Sequence, residues 1–150
     1  MATSAKAVAK TTSRAIAGTA TQRPTTSPVL IDTCGWIDFL RGTPSGLADA
    51  VEFLIQHDLA RLCGVTVAEL LHGARGAKEE RQLALLFAQV PVLDIRAADW
   101  PAAGRLLQQQ RAAGHAIPVT DALIATVAQR NKLPVLTVDA HFERLGVRLV

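Results

Sequence analysis

The apolar residues of this chain fall into two patterns: short unbroken runs, and longer stretches in which they recur every three or four positions. Val29-Leu30-Ile31 and Pro134-Val135-Leu136-Thr137-Val138 are runs of the first kind, and each leads directly into an aspartate, Asp32 or Asp139. A short run without polar alternation is how a strand covered on both faces reads. Residues 59–65, 92–95 and 147–150 repeat the pattern. Between them, Leu47, Val51, Leu54 and Ile55 recur at helical spacing with Asp49, Glu52 and Asp58 opposite, and Leu83, Leu86, Phe87 and Val90 do the same before Pro91. Helices are also predicted over residues 35–40, from Thr66 to Gly73 or Gly76, from Asp99 or the residue before it to about Ala113, and over residues 122–131, with a single turn around Phe142.

Strands alternating with helices predict an α/β fold in which a mainly parallel central sheet is covered by helices on both faces. Right-handed crossovers bring successive strand C-termini to one edge. Asp32 and Asp139 are therefore expected on the edge where open α/β sheets bind ligands.

Composition changes this picture little, and charge changes it once divided. At 150 residues the chain suits one domain, and with 49% apolar residues it can bury a core. Residues 1–28 carry Lys6, Lys10, Arg14 and Arg23 and no acid, whereas the remainder holds 12 basic and 13 acidic residues. The net +3 thus belongs to the N-terminal segment, and a basic overall balance is not a nucleic-acid-binding signal for the folded part. Residues 1–28, rich in Ala, Thr and Ser, are read as a disordered basic extension or the product of an upstream start codon rather than a targeting signal, with the domain over 29–150. Cys34 and Cys63 make neither a disulfide framework nor a zinc site, so a reducing cytoplasm is expected. No apolar stretch is long enough to span a bilayer.

The candidate chemistry lies in four acids: Asp32, Glu69, Asp121 and Asp139. Carboxylates gathered at contact distance repel one another, and a divalent cation both removes that cost and makes the cluster useful. All-oxygen ligation suits Mg²⁺ or Mn²⁺, and such a site suits phosphodiester hydrolysis. Each acid also has a purely structural reading. Asp32 could cap the helix that follows it, and Glu69 could be the capping-box partner of Thr66. Asp121 could be an acid favoured by a helix dipole, and Asp139 could close an Asx turn.

At these residues the chain resembles PIN-domain ribonucleases, in particular the VapC toxins of bacterial VapBC toxin–antitoxin systems. The resemblance runs from Val29 to Val150. It is carried by Val29-Leu30-Ile31-Asp32-Thr33 with Trp36-Ile37-Asp38, by Ala68-Glu69-Leu70-Leu71-His72-Gly73-Ala74, by Pro118-Val119-Thr120-Asp121-Ala122-Leu123-Ile124-Ala125, and by Leu136-Thr137-Val138-Asp139-Ala140-His141-Phe142, in that order. It implies a PIN-like three-layer domain and Mg²⁺- or Mn²⁺-dependent endoribonuclease activity on tRNA, rRNA or mRNA, with the four acids as the catalytic and metal-binding quartet. The positions matching Asp32 and Asp121 are the usual direct ligands, and Thr33 and Thr137 match supporting polar positions. A VapB-type antitoxin that blocks the acidic cleft, and a homodimer, are implied as well. Cys34-Gly35 departs from the usual residues after the first acid, and Val138 stands where a basic residue is frequent.

Other residues are read more plainly. None of His57, His72, His115 and His141 is assigned a catalytic role, and His72 is the best placed to touch substrate or antitoxin. Cys34 and Cys63 are expected as small buried hydrophobes, and Trp36 and Trp100 as packing anchors. The competing functions are an inert PIN-like RNA- or partner-binding module and a metal-dependent DNA nuclease.

Overall fold

The computed structural model describes residues 26–150, so the extension expected over 1–28 lies, but for its last three residues, outside the described residues. Strand β1 (Val29–Ile31) leads into helix α1 (Thr33–Arg41) and α2 (Gly46–Gln56). Strand β2 (Ala60–Cys63) runs straight into α3 (Gly64–Gly73), which α4 (Ala77–Gln89) and β3 (Val92–Leu93) follow. Helices α5 (Asp99–Ala112) and α6 (Val119–Asn131) then precede β4 (Val135–Leu136) and a 3₁₀ turn, Ala140–Arg144.

The strands form a parallel sheet in the order β3-β2-β1-β4. Alternate residues of each strand face opposite sides. Val29 and Ile31 of β1, Leu62 of β2 and Leu136 of β4 join one core with Trp36, Val51, Leu54 and Leu83. Leu30, Cys63 and Val135 join the other with Ala103, Leu123, Ile124 and Val127. Helices therefore cover both faces of the sheet, which gives the three layers expected. Helix α3 serves both sides, with Leu70 in the first core and Val65 in the second.

The chain leaves β1 toward β2 on one side and returns to β4 on the other. The crevice between the ends of β1 and β4 is the switch point at which such sheets bind ligands. Gly35 allows α1 to lie close over this point. A Cβ there would stand 2.8 Å from Ile31 Cγ2, on a β-branched side chain with little freedom to yield.

Several boundaries differ from the sequence reading. The strand expected over 59–65 ends at Cys63, because the helix begins at once with Gly64. Thr66 is consequently inside α3, buried and with its hydroxyl unpartnered, and the capping box with Glu69 does not form. The run over 92–95 yields only Val92–Leu93, and that over 134–138 only Val135–Leu136. The expected last strand is reduced to one parallel bridge, Leu149 to Val135. Asp99 starts α5 without capping it, its carboxylate instead receiving Arg130. Trp36 is fully buried as expected, but Trp100 is 55% exposed and anchors no core. Among the described residues, no helix is long and apolar enough to cross a membrane.

Candidate metal centre

Asp32 stands at the end of β1 and at the N-cap position of α1, yet its side chain makes no capping bond. The carboxylate turns to the neighbouring strand instead. Its Oδ2 accepts a hydrogen bond from the Thr137 hydroxyl just beyond β4 at 2.9 Å, and one from the Cys34 thiol at 3.2 Å. The residue is 6% exposed, so these two donors supply much of what water would otherwise provide. Cys34 is therefore not the inert buried hydrophobe expected. It is half-buried, bonded to Asp32, and its thiol is pushed up above the ordinary value by burial.

Thr137 works in two directions. Besides donating to Asp32, its hydroxyl accepts the Asp139 backbone N–H at 2.9 Å. Asp139 caps the 3₁₀ turn, its Oδ1 accepting the His141 backbone N–H at 2.8 Å. The Asx-turn reading of Asp139 is thus correct, and it coexists with a place in the acidic cluster. The turn swings the His141 ring over, so that Nδ1 lies 2.9 Å from Asp121 Oδ2 and 3.3 Å from Asp139 Oδ1.

Asp121 lies in the first turn of α6. Its carboxyl is held above the ordinary carboxylate value, first by burial and then by the negative charges of Asp139 and Asp32, against which the His141 hydrogen bond works. Asp121, Asp139 and His141 each offer one ligand atom within 4.8 Å of the others. Asp32 adjoins this group through its charge and through Thr137, and lies outside the group itself.

Glu69, on α3, reaches the site by a different route. Its Oε2 accepts the hydroxyl proton of Thr33, the residue after Asp32. Each of the two threonines thus touches one of the four acids, Thr33 touching Glu69 and Thr137 touching Asp32. No bond joins Glu69 to the other three acids. From Glu69 a groove of about 430 Å³ opens between α1, α3 and α4, lined by Ile37, Leu40, Arg41, Leu70 and Arg75 among others.

A family model described as the PIN domain matches residues 29–147. The chain belongs to the PIN-domain family. Its relatives place this PIN domain in the VapC-like branch. Ribonuclease VapC11 of Mycobacterium tuberculosis and a VapC ribonuclease of Mycobacterium bovis are each 32% identical to it over 119 residues, 77% of this chain and 89% of theirs. Among solved structures, the DNA-bound VapBC of Salmonella typhimurium superposes with a TM-score of 0.68 at 23% identity, covering 83% of this chain and 98% of that one. VapC20 of Mycobacterium tuberculosis, a sarcin–ricin loop cleaving toxin, gives 0.64 at 18% identity, covering 81% and 98%. At these identities the structural likeness establishes the fold.

A PIN domain of the VapC-like toxin class with an acidic cluster of this kind can hold a divalent cation, which is consistent with nuclease chemistry. The donor set fits a hard cation. Three carboxylates approach one another, and Asp121 is raised in pKa first by burial and then by the charges of the other two, a repulsion that a cation would relieve. Sequence reasoning missed His141. The only signal for it was its spacing, two residues after an acid that follows an apolar run.

Proposed function

We propose that this PIN domain is a Mg²⁺- or Mn²⁺-dependent endoribonuclease and the toxin of a toxin–antitoxin pair. The observation that carries the reading is the approach of Asp32, Asp121 and Asp139 at the crevice between β1 and β4, with the Asp121 carboxyl raised by burial and then by its acidic neighbours. Asp32 and Asp121 would hold the cation directly. Asp32 would bind through Oδ1, since Oδ2 is engaged by Thr137 and Cys34. Asp139 and Glu69 would act through water, Glu69 oriented by Thr33 and Asp139 by the Thr137 hydroxyl at its backbone.

A bound divalent cation supplies a lowered pKa for its water and stabilises charge on the phosphodiester oxygens. The residues of the chain then have three tasks. The carboxylates orient the attacking water and accept its proton. The threonines hold the carboxylates. The excess negative charge turns away a polyanion unless the cation is present, which argues against an RNA-binding module without turnover.

The relatives' names favour RNA as substrate, and cellular RNA is the class to which the reading commits. Arg41 and Arg75 along the groove beside Glu69, with Leu40 and Ile37 also lining it, suit an antitoxin segment that is apolar with acidic positions and covers the site. Self-association into a homodimer belongs to the same proposal, and light scattering of the purified toxin would read it.

The test is cleavage of total RNA and of a matched DNA by the purified chain, with Mg²⁺, with Mn²⁺ and with chelator. RNA alone should be cut, and only with metal. Asp32→Asn and Asp121→Asn should each lower the rate by about a hundredfold or more. Undiminished cleavage by both folded variants would overturn the reading. Co-expression with the neighbouring reading frame should abolish cleavage by the wild type.

A further inference from the structure

Resting on the metal-site reading above, we infer that His141 is a direct nitrogen ligand of the cation and sets the site's preference toward Mn²⁺ over Mg²⁺. The geometry of one atom carries the inference. His141 Nδ1 lies 2.9 Å from Asp121 Oδ2 and 3.3 Å from Asp139 Oδ1, so a single ring nitrogen sits against two carboxylates. Neighbouring ligand atoms around a six-coordinate ion with bonds near 2.1 Å are about 3.0 Å apart. Nδ1 and Asp121 Oδ2 are thus already spaced as adjacent corners of one coordination shell, with the water-mediated acid Asp139 offering an oxygen within 4.8 Å of both.

The ring is also prevented from drifting away. The Asp139 carboxylate that faces Nδ1 is the one that accepts the His141 backbone N–H at 2.8 Å, so backbone and ring are fixed by the same side chain. The ring nitrogen thus already faces the carboxylates that the cation would join.

An imidazole ligand alters which metal is favoured. Mg²⁺ prefers oxygen donors almost entirely, whereas Mn²⁺, a transition-metal ion, accepts a nitrogen donor more readily. A quartet of carboxylates alone would discriminate little between the two ions. The quartet with His141 binds Mn²⁺ selectively.

The experiment is pulsed electron paramagnetic resonance on the Mn²⁺-loaded chain, which reads nitrogen bound to the ion independently of turnover. Wild type should show the nitrogen modulation of a coordinated imidazole, and growth on ¹⁵N-histidine should change its pattern without any substitution. His141→Gln should lose the modulation and weaken Mn²⁺ binding by about tenfold, with Mg²⁺ binding little changed. Bound Mn²⁺ without a nitrogen signal in the wild type, or a signal that persists in His141→Gln, overturns the inference and leaves the carboxylate site standing. Failure of the wild type to bind Mn²⁺ at all overturns both.

Discussion

Asp32 illustrates how a residue acquires a role through what its neighbours withhold. It occupies a helix N-cap position, where aspartate ordinarily bonds the backbone of the first turn, but its carboxylate is drawn away by Thr137 and Cys34. Removing the stronger of these donors should therefore be felt at the metal. Thr137→Val is expected to weaken divalent-ion affinity by about ten- to a hundredfold while the chain stays folded, as titration calorimetry would show. Asp121 makes the reverse case. Its carboxyl is raised, so its charge opposes folding at neutral pH, an opposition that fades as pH falls through its folded value and the group protonates. Asp121→Asn should accordingly melt no lower than the wild type without metal. Added Mn²⁺ at a hundred times its dissociation constant should stabilise the wild type by about 2.7 kcal/mol and the variant much less, as read by thermal unfolding.

At the scale of elements, what could be read from the sequence follows from local physics. The strands before Asp32 and Asp139 were legible because a two-sided burial leaves an unbroken apolar run, although only Asp32 follows its strand directly and β4 stops at Leu136, short of Asp139. Glu69 and Asp121 were legible only through family resemblance, since each has an adequate local explanation as a helix-start acid. For Glu69 that explanation fails for a reason no periodicity reveals: β2 passes into α3 without a loop, so the helix begins at Gly64 and Thr66 falls inside it. The buried hydroxyl of Thr66 then has no partner. Thr66→Val should raise stability by about 1 kcal/mol, measured by denaturant unfolding, where a capping residue would have lowered it by a similar amount. His141 was illegible because a 3₁₀ turn aims it at a residue 20 positions earlier.

On the scale of the whole molecule, the first turn of α6 carries Asp121 and its last turn carries Arg130. Arg130 donates to both oxygens of buried Asp99 and to the Asp94 carbonyl, fastening the segment after the short strand β3. Arg130 holds the Asp99 carboxyl below its ordinary value of 3.8. A group whose folded pKa is depressed contributes stability above its unfolded value, and loses it as pH falls through the folded one. Asp99→Asn should thus be less stable than the wild type at pH 7, by roughly 2 kcal/mol. That gap should close as the pH is lowered below 3.8, as read by urea denaturation at each pH. RNA cleavage at neutral pH should survive the substitution, since this clamp and the acidic cluster lie at opposite ends of the helix.

The pinned oxygen of Asp32 bears on calcium. With Oδ2 committed to Thr137 and Cys34, the carboxylate has one oxygen to give, and it cannot grip an ion from both. Calcium favours seven or eight oxygens and often takes a carboxylate by both of its own, whereas magnesium is content with six single contacts. On the proposed site, a hydroxyl and a thiol that do not touch the ion would thereby favour the smaller cation by limiting the denticity of Asp32.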